Sequence, residues 1–314
     1  MPCKRRTGLL CLLLVMVSFV LAFDTKEIKK YITEQTIYVE GLQEDYTLLF
    51  LTDIHAVIMD PEAQGQQAEN QVERAAMFVN WEGISAEEQL AEWIDYANEN
   101  QVDAVLLGGD IIDTPSKANL EWLEEQLSRL DMPWLYVLGN HDWTYPWEYM
   151  TDTGKETYLP LFEPFMQGNT AIQRLDLGEF SVVGIDNSSN QVRAEVLAEY
   201  EKILAEGEPM VVMAHVPFLT QSILPKAKNI WSSPVVIGGD GGIYPDENSR
   251  RFTGLTTAAD SPVELVLTGH VHFYDQDVIA GEKDVFQLTG GAGYLGEACL
   301  IHLTGNIGTE NTER

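Results

Sequence analysis

The chain has 314 residues, of which 45% are hydrophobic, enough to bury a large core, so a disulfide-stapled miniprotein is excluded. Its 49 acidic residues against 19 basic ones give a net charge of −30, a surface that repels nucleic-acid phosphates and disfavours a generic DNA- or RNA-binding module. There are three Cys and only six His. The first element is a targeting pattern. Lys4, Arg5 and Arg6 precede a run from Gly8 to Phe23 that carries no charge. That run is long for a signal-peptide core and short for a spanning helix of about 20 residues. A signal peptide over residues 1–22, cut after Val20-Leu21-Ala22, is the first reading, and an uncleaved membrane anchor is the second. Cys11 follows Leu9-Leu10 and so lacks the small residue expected before a lipidated cysteine. Either way the protein is expected to be exported, secreted or extracytoplasmic, touching a membrane only through an uncleaved segment. Cleavage would leave Cys299 alone, with no disulfide within the chain.

The mature part reads as one α/β domain over residues 36–305. A polar lead-in carries an edge strand near Thr36–Val39, and the first strong strand runs from Tyr46 to Thr52. A loop rich in Gln, Glu and Asn is predicted next. Ser85-Ala86-Glu87-Glu88 is a capping box, and Leu90, Trp93, Ile94 and Ala97 follow at helical spacing. Then come a strand at Ala104–Leu107, a helix through Leu120, Leu123, Leu127 and Leu130, and a strand at Trp134–Leu138. Two short strands are predicted around Gly178, a helix from Gln191 to Glu206, strands at Met210–Ala214 and Val263–Thr268, and two more between Val285 and Leu303. Residues 226–260, a long segment rich in Gly, Ser and Asp, are predicted to drape near the site. Alternating strands and helices of this kind imply stacked sheets covered by helices.

Polar residues recur where the apolar strands end. The segments are Asp53-Ile54-His55, Gly108-Gly109-Asp110, Gly139-Asn140-His141-Asp142, His215, and Gly269-His270-Val271-His272. Carboxyl ends of strands form the ligand crevice of open α/β sheets, so five separate segments can converge there with five of the six His. Imidazole and carboxylate suit zinc, manganese and iron. Asp-x-His and His-x-His put two side chains on the same side of an extended segment. Taken singly each motif is commonplace; the ordered set is what points to chemistry.

That ordered set resembles the calcineurin-like metallophosphoesterase family over roughly Tyr46 to Leu303. The resemblance implies a four-layer α/β/β/α sandwich with a dinuclear metal site at the C-terminal ends of the strands. It implies two divalent ions, Mn, Fe, Zn or similar. Asp53, His55 and His272 would hold the first, Asn140, His215 and His270 the second, and Asp110 both. His141 would stand near the leaving group or a phosphate oxygen, with Asp142 orienting it. Two ions, two aspartates and one hydroxide leave the site at about +1, which draws in a phosphate that the rest of the surface repels. The expected reaction is attack of a metal-activated hydroxide on the phosphorus of a mono- or diester, with a small soluble phosphoester favoured. A nuclease or nucleotide phosphodiesterase, and a metal-stabilised binding protein without turnover, are the alternatives.

Purple acid phosphatases in this superfamily carry Tyr three residues after the shared Asp. Here that residue is Asp113, so no ferric tyrosinate is expected. Asp113 reads first as a turn or cap residue ahead of Pro115, and second as a partner for a ligand histidine. Trp143, Tyr145 and Trp147 are candidates for the substrate mouth, and Arg250 and Arg251 for a clamp on a distal phosphate. Asn187-Ser188-Ser189 has the form of a glycosylation acceptor. The sequence leaves the oligomeric state open.

Overall fold

A computed structural model describes residues 28–143, 150–233 and 235–306. The signal-peptide reading, and Tyr145 and Trp147, lie outside the described residues. In chain order the elements begin with β1 (Tyr31–Tyr38), β2 (Tyr46–Leu51), α1 (Gln66–Met77), α2 (Ala86–Asn100), β3 (Ala104–Leu107), α3 (Lys117–Leu127), β4 (Trp134–Tyr136), α4 (Asn140–Trp143) and α5 (Asp152–Tyr158). They continue with β5 (Ile172–Asp176), β6 (Ser181–Ile185), α6 (Ala194–Leu204), β7 (Met210–Met213), α7 (Ile223–Trp231), α8 (Glu247–Thr256), β8 (Val263–Thr268), β9 (Asp275–Ile279), β10 (Val285–Thr289) and β11 (Glu297–Thr304).

Two mixed sheets result. The first has the order β1-β11-β2-β3-β4 and the second β5-β6-β7-β8-β10-β9. In the first, β2, β3 and β4 run parallel while β11 is antiparallel to β2 and parallel to β1. In the second, β6, β7, β8 and β10 are parallel and the outer strands β5 and β9 antiparallel to their neighbours. The inner strands β2, β3, β7 and β8 are apolar on both faces, and the period of two sends alternate residues to different layers. Leu48 and Phe50 of β2, Leu106 of β3, Val211 and Met213 of β7, and Leu265 and Leu267 of β8 meet between the sheets. Leu49, Leu51, Val105 and Leu107 point the other way, onto Leu90, Trp93, Ile94 and Ala97 of α2 and Leu123 of α3. Val212 and Val266 likewise face Val196, Leu197 and Tyr200 of α6 and Phe252 of α8. The architecture is therefore the four-layer α/β/β/α sandwich.

The capping box forms as expected: the Ser85 backbone N–H donates to Glu88 Oε2 at 2.9 Å, and the Glu88 N–H returns to Ser85 Oγ. The edge strand begins at Tyr31, ahead of the expected Thr36. One loop expectation is overturned. The polar segment after β2 contains α1, whose buried residues are the polar Gln71 and Arg74 while its Val72 is exposed. Residues 226–260 contain the end of α7 and all of α8. Among the described residues no helix is long and apolar enough to cross a membrane.

Candidate metal centre

The parallel strands β2, β3, β7 and β8 end on the same side, and each ends in chemistry. The chain must leave them sharply. Asp53, His55, Asp110, His270 and His272 all adopt positive φ, between 52° and 72°. Left-handed backbone at five non-glycine residues is costly and persists only where the surroundings enforce it. Two glycines make the close approach possible. A Cβ on Gly139 would run into the Asp110 carboxylate, and one on Gly269 into Thr52 and Asp53.

Two ligand clusters share Asp110: Asp53, His55, Asp110 and His272 form one, and Asp110, His215 and His270 the other. His272 Nε2 lies 3.3 Å from Asp53 Oδ1 and 3.0 Å from His55 Nε2. Asp110 Oδ2 lies 3.2 Å from His215 Nε2 and 3.7 Å from His55 Nε2. His270 Nδ1 is 3.2 Å from His215 Nε2. All of these side chains are buried except those of His270 and His272, which are partly buried. His215 Nδ1 contacts the Gly108 carbonyl at 2.8 Å, and His55 Nδ1 contacts Asp113 Oδ1 at 3.0 Å. Donation from each Nδ1–H leaves Nε2 as a lone pair facing the cluster, the form a metal requires. Burial pulls His55 down to about 4 and His270 to about 3, so both rings are neutral donors at neutral pH. Burial also opposes charge on His215, but the Asp110 carboxylate outweighs it and raises His215 to about 9, a proton standing where a cation would stand.

The donor set fits a pair of divalent cations. The lone pairs of His55 and His272 converge at 3.0 Å, and the Asn140 side-chain oxygen is buried with no hydrogen-bond partner. An orphaned buried acceptor costs about 1–3 kcal/mol unless something else satisfies it, and a cation beside His215 and His270 would do so. The sixth histidine, His302, is elsewhere, on β11 with Nδ1 3.2 Å from Thr47 Oγ1.

Around the clusters the structure departs from the sequence expectations at five places. Asp142 does not orient His141. Its Oδ1 accepts the Ile111 and Ile112 N–H groups and its Oδ2 those of Asp110 and Gly139, at 2.7–3.0 Å. It thus pins the turn after β3 to the turn after β4, while burial and the neighbouring Asp110 push its own pKa up to about 7. Asp113 is the carboxylate beside His141, with Oδ1 3.2 Å from its Nδ1, and is not a mere turn residue. Trp143 is buried and donates to Ser188 Oγ at 2.9 Å, so it packs beneath the loop and does not line the mouth. Arg250 lines a separate cavity of about 800 Å³ beside β9, and Arg251 pairs with Glu201 of α6. The Asn187 amide, fully buried, accepts the His215 and Val216 N–H groups and donates to the Val216 carbonyl, which withholds it from glycosylation in the fold.

One residue had no signal in the sequence. Arg74 of α1 reaches the site, donating from Nε to Asp113 Oδ2 at 2.5 Å and from a terminal nitrogen to Oδ1 at 2.6 Å. The same nitrogen is 3.2 Å from His141 Nδ1. Against the cost of burial, this guanidinium and the two histidines hold the Asp113 carboxyl well below the usual carboxylate range. A cavity of about 570 Å³ opens over the clusters, lined by His55, Asp110, Asn140, His141, His270 and His272 together with Arg74.

The family model for the calcineurin-like phosphoesterases matches residues 46–274. The chain belongs to that family. It is a metal-dependent phosphoric ester hydrolase of a family that suggests a dinuclear divalent-metal site, and the two clusters offer ligand atoms for one. Among solved structures, a purple acid phosphatase from yellow lupin (Lupinus luteus) seeds is similar with a TM-score of 0.53 and 14% identity, over 82% of this chain and 45% of its own. A dimetal phosphatase from Danio rerio gives 0.46 and 13%, covering 79% and 88%. Phosphopantetheinyl hydrolase from Mycobacterium tuberculosis gives 0.42 and 11%, covering 79% and 90%. At such identities the likeness is one of fold. A search of curated proteins returned no match.

Proposed function

We propose that this phosphoesterase cleaves small phosphate mono- or diesters, with Asp53, His55 and His272 holding one ion, Asn140, His215 and His270 the other, and Asp110 shared between them. The observation that carries this division is Asp110, the one carboxylate common to both ligand clusters. When bound, two divalent ions supply positive charge for the phosphate oxygens and make water acidic enough to attack near neutral pH. The chain's own residues supply the rest. Asp113 and Arg74 fix the His141 ring from its Nδ1 side, which leaves Nε2 to meet a phosphate oxygen or the departing ester oxygen. Asp142 holds the Asp110 and Asn140 turns in register through four backbone hydrogen bonds. His215 is set by the Gly108 carbonyl on its ring and by Asn187 on its backbone. The strongly acidic surface favours a small ester over a polynucleotide. Export, with the basic and apolar N-terminal segment as its signal, belongs to the same proposal and is read by determining the mature N-terminus.

Elemental analysis with activity measurement tests the assignment. Two ions per chain are expected, hydrolysis of 4-nitrophenyl phosphate or its diester should vanish on chelation, and Mn²⁺ or a similar ion should restore it. Full activity in His215→Ala would overturn the ligand set.

A further inference from the structure

The cavity over the metal clusters has two unlike walls. One carries the ligands and Arg74. The other is apolar: Met77 of α1, Phe78 just after it, Met150, Trp231 at the end of α7, Val235 and Tyr294. The apolar wall starts at the ligand rings themselves. Phe78 stacks on His55 with centroids 4.2 Å apart, and Trp231 stands edge-on to His272 at 5.2 Å. The Trp231 indole N–H donates to the Val271 carbonyl at 2.9 Å, which fixes the ring in that place.

Despite this ordering, Met77 is 54% exposed and Trp231 41%. Large apolar side chains left in water at the rim of a catalytic cavity are surface that a ligand's apolar group can cover. The polar inventory is short by contrast. Among the described residues lining the cavity, Arg74 is the one Lys or Arg, and two of its nitrogens are engaged with Asp113. A second phosphate would therefore meet no further cation there. We infer that the preferred substrate carries a single phosphate and an apolar ester group, alkyl or aryl, which lies against the wall formed by Met77, Phe78 and Trp231. This rests on the phosphoesterase reading and adds what is recognised beyond the phosphate.

Two ester series test it on the full-length enzyme with Mn²⁺: phosphate monoesters, and methyl phosphodiesters, of glycerol, butanol, octanol and phenol. Each fully buried methylene is worth roughly fourfold, so kcat/KM should rise at least about tenfold from the glycerol to the octyl ester. The phenyl and alkyl arms separate a ring from a chain as the favoured group. Calorimetry should show octylphosphonate binding tighter than methylphosphonate by a similar factor, with a more negative heat-capacity change. Met77→Ser and Trp231→Ser, both at partly exposed positions that tolerate polar side chains, should each compress the series. Val278→Ser, on β9 at the separate cavity, should not. A flat or inverted series from active enzyme, or a nucleoside diphosphate as the best substrate, overturns this inference alone. No hydrolysis of any ester, 4-nitrophenyl phosphate included, overturns the phosphoesterase reading with it.

Discussion

The two sheets bring different chemistry to the same cavity. The strand ends of β2, β3 and β4 deliver both carboxylates of the clusters, Asp53 and Asp110, and the neighbouring Asp113, with His55, His141 and Asn140. Those of β7 and β8 deliver only imidazoles, His215, His270 and His272. Their supports differ in kind too. The first half is braced by charged groups, Asp142 on four N–H donors and Arg74 on Asp113. The second is braced by neutral ones, the Gly108 carbonyl and the Asn187 amide. Anionic charge, and the means of holding it, thus lie on one side of the cavity. The lesson is that damage on the charged side should be both electrostatic and structural, whereas damage on the imidazole side should be mainly loss of ligand.

The sharpest way to break that contrast is Asp110→Asn, since Asp110 faces both halves. Hydrolysis should fall by at least about a hundredfold, beyond what loss of a supporting partner alone gives, and the bound metal per chain should drop. Next comes Asp113→Asn. It should lower kcat about 10–100-fold with a smaller change in KM, and unfolding in denaturant should show a loss of about 3–5 kcal/mol because the buried Arg74 guanidinium loses its carboxylate. Combining it with Arg74→Leu should recover part of that stability and none of the activity. Additive losses in the double variant would remove Arg74 from the account. Asp142→Ala should cost about 3 kcal/mol or more by stranding four buried N–H groups, against about 1–3 kcal/mol for Asn187→Ala on the imidazole side.

A pH measurement reaches a buried ion pair just after β6, apart from the groups that hold the histidine rings. Burial works to raise Asp186, but Lys155 Nζ at 2.6 Å and the Ser188 hydroxyl overcome it and hold the carboxyl below its ordinary value. A carboxyl lowered by folding adds stability that is present above its unfolded pKa and lost as pH falls through the folded one. The fold should therefore weaken below about pH 4, and Asp186→Asn should flatten that acid limb in thermal unfolding curves. Arg251→Ala should do least. Its exposed pairing with Glu201 is worth at most about 1 kcal/mol, and steady-state kinetics should not register its loss.

What the sequence made legible follows from where each signal lies. The candidate ligands Asp53, His55, Asp110, Asn140, His215, His270 and His272 stand directly after apolar strands, so the strand pattern itself placed them together. Most strands were legible for the same reason, being nearly continuous apolar runs. Arg74 was not, because α1 buries its polar Gln71 and Arg74, and burial of a polar residue leaves no mark in an apolar pattern. Asp113 was ambiguous because a carboxylate ahead of Thr-Pro serves a turn equally well; only the positive φ of Asp110, which swings the following chain back under His55, resolves it. Asp142 was assigned to the wrong partner since adjacency to His141 says nothing of direction, and on α4 its side chain faces the backbone of the neighbouring turns.

The position of β11 has a consequence for how this molecule is made. It is the last strand described, yet it is inserted between β1 and β2, pairing over eight residues with the one and five with the other. During synthesis β2 must wait, with one edge unsatisfied, until nearly the whole domain has been produced. Contacts of such wide sequence separation slow folding. The stretch that ends in Asp53 and His55 is thus locked only at the final step, and chains interrupted before Glu297 should be captured by chaperones or proteases, with no partly working enzyme released.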